Sequence, residues 1–239
     1  MQNRKHLAVV LSMMILGLSS FSVVDSHNFS SAYAITSDMT MQKSCIGKYN
    51  LDLSGCNVKA AQMRFAQLES ADVSNAVFHN AEFYAADLQG ANLSGSDFAG
   101  SDFAYANLSY ADLRGANLSH VDFYHADLTG ADLRGANLYG ARLPGAVLGG
   151  ANLSGVDMTG IDSDAAIFIG ANLKNAILTN GMFMGADFSD ADLTNANLSQ
   201  ATLTSGSLAG AKMYDAMVGG LATGGVDLSC IGHPICESE

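Results

Sequence analysis

Ala111-Asp112-Leu113-Arg114-Gly115 returns twenty residues later as Ala131-Asp132-Leu133-Arg134-Gly135, and twenty residues earlier stands Ala91-Asn92-Leu93-Ser94-Gly95. Outward from these copies in steps of five, the central column runs from Leu53 to Leu228 without a change of phase. It has 36 positions, and 31 hold Leu, Phe or Met; the exceptions are Val58, Val73, Ser163, Val218 and Thr223. Two residues before each centre, Ala occupies 25 of the 36 places, and between the two columns Asp or Asn occupies 22. The repeating unit is A-(D/N)-L-x-x.

A period of five fits neither the helix at 3.6 nor the strand at 2.0. On a helix the apolar stripe would rotate by about 140° per unit and bury nothing consistently. The pattern needs a backbone that returns to one orientation every five residues while it advances around an axis. Four such segments closing one square turn meet that need. Leu or Phe and Ala then point inward, the other three residues point outward, and each coil touches only its neighbours. Thirty-six units at four per coil predict nine coils. At the usual spacing between strands the rod is roughly 43 Å long. Residues twenty apart lie above one another, so Phe83, Phe103 and Phe123 are expected in one interior column and Phe78 with Phe98 in the next. Ser163 puts a hydroxyl where an apolar centre belongs, which predicts a local bulge or a bond to a neighbouring carbonyl.

In these units the sequence resembles the pentapeptide-repeat family. The resemblance implies an all-β fold over 51–230, a right-handed quadrilateral parallel β-helix. The ends of a solenoid need caps, and 35–50 and 231–239 are the candidates.

The first 34 residues read as an address. Arg4, Lys5 and His6 precede an apolar run from Leu7 to Leu18, and Ala32-Tyr33-Ala34 supplies a small-x-small cleavage site. This is the layout of a secretory signal peptide, 1–34, removed after Ala34. The alternative is a retained anchor over Leu7–Val24, although Ser12, Ser19, Ser20 and Ser22 dilute it. With cleavage, no stable membrane insertion is expected. Export leads to the periplasm, the thylakoid lumen or the extracellular space; signal-bearing relatives are common in cyanobacteria and plastids, so the resemblance implies one of the first two.

The chain of 239 residues carries a net charge of −12, which becomes −13 after cleavage. That sign excludes a basic patch for nucleic-acid backbone or anionic lipid. Four cysteines on an exported chain read as disulfides. Sequence distance favours Cys45 with Cys56 and Cys230 with Cys236 over the other pairings. The alternative is a redox or metal module in which His233 joins Cys230 and Cys236, but the spacing matches no usual zinc signature.

No catalytic motif and no cofactor site stand out. The Ser residues fill outward repeat positions without a nucleophile elbow, and Gly falls mainly at the corner of each unit, where a turn is needed. Two surface patches are candidates for protein partners. Tyr84, Tyr105, His120, Tyr124 and His125 form the first, on the face that also carries Asp102 and Asp122. Imidazole beside carboxylate titrates near neutral pH, and aromatic side chains mark interfaces. Val147, Ile167, Ile169, Ile177, Met182 and Met184 form the second, an apolar patch suited to a homodimer or a protein partner. Scattered surface decoration is the plainer reading of the first patch, and swollen packing around Ser163 that of the second. The leading function is an exported, non-enzymatic scaffold. The alternative is DNA mimicry directed at a topoisomerase, as in family members that inhibit gyrase; Asp and Glu82 before the centres supply 15 of the acidic residues for it. Export disfavours that alternative.

Overall fold

The computed structural model describes residues 52–236. The segment 1–34 expected as a signal peptide, the segment 35–50 expected as a cap, Cys45 and residues 237–239 lie outside them. Every described unit up to residue 225 has a bridge residue followed by a two-residue turn, and the last unit keeps the bridge at Asp227 without the turn. The bridges join residues twenty apart, from Asp52↔Asp72 onward, so one turn of the helix takes four units. The last bridge, Lys212↔Ile231, spans nineteen, and there the register ends.

The residues of each unit explain its path. Leu113 N–H donates to Asp132 C=O at 2.8 Å, and Asp132 N–H donates back to Ala111 C=O at 3.0 Å, which ties two coils together. Ala116 N–H donates to Leu113 C=O at 3.1 Å and closes the turn. The second turn residue is left-handed, as at Gly115 with φ 65°. Glycine takes that backbone freely. Asn75, Asn80, Asn175, Asn180 and Asn195 also take it, the residue type most tolerant of it after glycine.

The Asp or Asn before each centre has a structural task. Its Oδ1 accepts the backbone N–H two residues on, as Asp127 does from Thr129 at 2.9 Å. Along the column, Asn107 donates to Asp87 at 3.0 Å and Asn117 to Asp97 at 2.9 Å. Much of the acidic surface therefore stitches turns and coils.

From residue 71 to residue 203 both inward columns are buried without exception. The expected aromatic stack is present: Phe83 and Phe103 lie 4.6 Å apart, Phe103 and Phe123 5.6 Å, and Phe78 and Phe98 5.8 Å. A second trio, Phe168, Phe183 and Phe188, fills the axis further along.

Ser163 corrects one expectation. There is no bulge: Ser163 N–H donates to Met182 C=O at 2.8 Å in the ordinary ladder. Its buried Oγ has no hydrogen-bond partner among the described residues. Ser96 and Ser101 differ, because from the Ala column each hydroxyl reaches a backbone carbonyl at 2.6 Å, that of Val73 or Phe78. From the axis Ser163 cannot. Ser163→Ala is accordingly expected to raise stability by about 1 kcal/mol, read from the urea midpoint; an unchanged or lowered midpoint would contradict this.

The irregularity lies one face earlier. Among the described residues, Leu138 N–H and Asp157 C=O do not meet, nor do Gly135 with Ser154, Gly140 with Thr159, and the amides of Asp157 and Asp162 with the carbonyls of Ala136 and Ala141. The bridge between Asn137 and Asp157 is missing as well. Val156 and Ile161 are the cause: two branched residues occupy adjacent Ala positions of one coil, with Met158 on the axis between them. They press on Ala136 and Ala141 below and open a seam. Above, Gly181 sits over Ile161, and Met182 N–H still reaches Ile161 C=O at 2.8 Å. Amide exchange at Leu138 and Asp157 should be about tenfold or more faster than at Leu118 and Ile177. Equal protection would refute the seam.

Candidate interaction surface

Four consecutive coils present aromatic rings along one edge. Phe65 packs on Tyr84 at 5.7 Å, Tyr84 on Tyr105 at 5.5 Å, and Tyr105 on Tyr124 at 5.6 Å. His125 closes the strip, stacked on Tyr105 at 5.5 Å and edge-on to Tyr124 at 4.3 Å. Phe65 and Tyr105 are both 49 % exposed, so the strip faces solvent although its members support one another. Beyond it the surface drops to Pro144 and Gly145, and the His125 ring leans over Gly145 where a Cβ would meet it at 2.5 Å.

The backbone makes these rings costly. Phe65, Tyr105 and His125 have φ of 57°, 59° and 53°, left-handed corners that most coils fill with glycine or asparagine. A side chain with a Cβ there opposes the chain's preference by about 1–2 kcal/mol. Mutual packing repays part of that cost, and each Cβ at such a corner points along the same edge.

The structure places four of the residues grouped from the sequence side by side: Tyr84, Tyr105, Tyr124 and His125. His120 stands apart from them. It occupies the preceding corner and pairs with Tyr139 at 5.4 Å. Two members were missed. Arg64 holds its guanidinium 4.6 Å from the Tyr84 ring centre and 3.4 Å from Glu82, and Phe65 begins the strip. The registers 64, 84, 104, 124 and 65, 85, 105, 125 were visible in the sequence and would have found them.

Carboxylates line the same face. Glu82 bridges to Asp102 and Asp102 to Asp122. Arg142 reaches Asp122 and Asp162, both at 3.5 Å. The Asp102 carboxylate accepts the Ala104 N–H at 2.8 Å and has no basic partner among the described residues. Tyr105 sits among rings that partly desolvate it, with Tyr124 and Tyr84 close by, and its phenol is pushed up from the ordinary value. Around the next corners, Arg114 on Asp112 and Arg134 on Asp132 are held at 2.6 Å, which keeps both carboxyls below their usual range.

The second patch is spread over three faces. Val147 bridges to Ile167 with Ile169 beside them, Met182 and Met184 lie on the neighbouring face, and Ile177 on a third. Ile169, Ile177, Met182 and Met184 are exposed, whereas Val147 and Ile167 are half-buried. Ser163 N–H keeps its place in the ladder, but the seam beside Asp157 and Asp162 lies one coil below Ile177 and Met182.

Cys230 and Cys236 form a disulfide across the last coil, with Cα atoms 4.9 Å apart. Both sulfurs are thereby used, and His233 Nδ1 accepts the Ile235 N–H at 3.1 Å. The alternative three-ligand site is not formed, and among the described residues no group of three His, Cys, Asp or Glu could hold a metal ion. Cys56 is disulfide-bonded too; Cys45, its expected partner, is outside the described residues. No helix of the described residues is long and apolar enough to cross a membrane.

The family profile described as Pentapeptide repeats matches in eight copies, over residues 61–100, 81–119, 122–160, 146–181 and 183–216. No protein of curated function matches the chain. Among solved structures it is similar to HetL, a pentapeptide repeat protein involved in heterocyst differentiation regulation in the cyanobacterium Nostoc sp. strain PCC 7120. The identity is 30 % over 82 % of this chain and 96 % of that one, with a TM-score of 0.42. QnrB1, a plasmid-mediated fluoroquinolone resistance protein, shares 23 % over 74 % of this chain and 86 % of its own, with a TM-score of 0.48. A protein of the Arabidopsis thaliana thylakoid lumen shares 27 % over 47 % of this chain and 68 % of its own, with a TM-score of 0.35.

Proposed function

We propose, on the ground that this chain belongs to the pentapeptide-repeat family, that it is an exported scaffold whose flat faces bind another protein. Family membership brings with it the right-handed β-helix and a non-enzymatic repeat framework. We read the shaft as four-sided with about nine coils, a reading supported by bridges at twenty-residue intervals. The observation that carries the function is the aromatic strip from Phe65 to His125. A repeat that accepts glycine at every corner spends left-handed backbone on large rings there, and aromatic residues are enriched at protein interfaces. The exposed Met182, Met184 and Ile169 would add a second contact, with a partner or with a second copy of the chain.

Export rests on the signal-like segment 1–34, which also points to the periplasm or thylakoid lumen as the compartment. DNA mimicry toward a topoisomerase is the second reading and requires a cytoplasmic chain. It is weakened because so many of the carboxylates are engaged in turns and coil-to-coil bonds. The test is capture of a C-terminally tagged protein from its own cells after brief crosslinking, with the mature N-terminus read from the same sample. A chain starting at Ile35 with a reproducible extracytoplasmic partner is the expected result. An intact Met1 with topoisomerase subunits enriched would overturn it.

A further inference from the structure

Arg64 demonstrates inside the chain what the strip can do for another molecule. It rises from its own coil to the next, where its guanidinium meets the Glu82 carboxylate at 3.4 Å and covers the Tyr84 ring at 4.6 Å. Carboxylate just before the centre and ring just after it form one receptor for a planar cation. Two coils further on, Asp122 and Tyr124 repeat that pair in the same register, with Arg142 of the next coil reaching the Asp122 carboxylate at 3.5 Å. The residue in Arg64's place below them is Ala104, which carries no cation. Between the two lies Asp102, without a basic partner among the described residues, beside the exposed Tyr105 ring.

We propose that the edge formed by Asp102, Tyr105, Asp122 and Tyr124 docks arginine side chains of an extended segment of a protein partner. This deepens the scaffold reading and rests on it. The charge is complementary, since a chain with net charge −12 selects cationic segments and repels acidic ones. Arginine is favoured over lysine because its planar guanidinium stacks on the ring while its N–H groups fork onto the carboxylate. Arg64 covers the ring while one of its N–H groups reaches the carboxylate. The Tyr124 ring is held edge-on by His125 and Tyr105, so it is fixed in place before a partner arrives.

The experiment uses a fluorescein-labelled Gly-Arg-Gly-Arg-Gly-Arg-Gly peptide and its lysine counterpart, titrated with the full disulfide-bonded protein at 50 and 150 mM salt as experimental settings on the order of the screening range. The arginine peptide is expected to bind about tenfold more tightly than the lysine peptide. Tyr124→Ala and Asp122→Asn should each remove most of that preference. Tyr105→Gly is the decisive variant: glycine is the ordinary residue at this corner, so the ring is removed while the fold gains stability, and any loss of binding cannot come from unfolding. Tyr139→Ser, on the other edge, should leave binding unchanged. Equal affinity for both peptides, or a preference that survives Tyr105→Gly together with Tyr124→Ala, would overturn the proposal. If that double variant still captures the wild-type partner after crosslinking, this edge is wrong while the scaffold reading stands. If neither chain captures an extracytoplasmic partner, the scaffold reading itself fails.

Discussion

Phe103→Ala is expected to lower the stability of the shaft by about 4 kcal/mol. Phe103 is fully buried, stacked between Phe83 at 4.6 Å and Phe123 at 5.6 Å, and meets Phe98 edge-on at 5.3 Å. Removing the ring empties the axis of one coil, where neither side can collapse because each coil is pinned to the next by ladder bonds such as Phe103 N–H to Asp122 C=O at 2.8 Å. In a one-dimensional stack the loss falls on the interfaces with both neighbouring coils. Urea unfolding should show a lower midpoint or a split transition. A loss below about 1 kcal/mol would mean that the column repacks, against the close-packed interior described here.

Gly206→Val should destabilise by about 3 kcal/mol, toward the upper end of overpacking effects. Position 206 belongs to the Ala column, so the repeat itself recommends Ala there, and a consensus design would add a methyl group. The structure says otherwise. A Cβ at Gly206 would stand 2.5 Å from Ala186 O and 3.0 Å from Leu203 O, both backbone atoms. Val226 occupies the same column one coil on, and Gly206 makes room beneath it. Gly181 has the matching place above Ile161, and a Cβ there would meet the Phe183 ring at 2.3 Å. A thermal melt of Gly206→Val beside Ala201→Gly separates the two rules. If Gly206→Val is neutral, the column accepts any small residue and the contact with Ala186 has no weight.

The interior was legible because orientation in this fold is set by counting. With twenty residues per turn, Phe83, Phe103 and Phe123 had to stack, and they do. The same arithmetic placed Tyr105 beside His125. It misgrouped His120, because five residues along the chain is a quarter of a turn, and a quarter turn carries a side chain onto another edge. There His120 finds Tyr139. Ser163 was recognised as out of place, but its consequence was misjudged. A hydroxyl on the axis has only apolar neighbours, whereas one in the Ala column lies against backbone carbonyls.

The sequence by itself determined the repeat, the parallel pairing, which two residues of every five turn inward, and the corner that glycine favours. A five-residue period leaves the chain one way to bury a continuous apolar column. Only the tertiary structure decided how the coils share volume. It opened the seam below Val156 and Ile161, spared Gly181 and Gly206 a side chain, and laid Arg64 across Tyr84 onto Glu82. These outcomes depend on the summed sizes of residues stacked twenty apart and on the direction each exposed side chain leans. Both are settled by neighbours in the coils above and below, and not by the unit a residue belongs to.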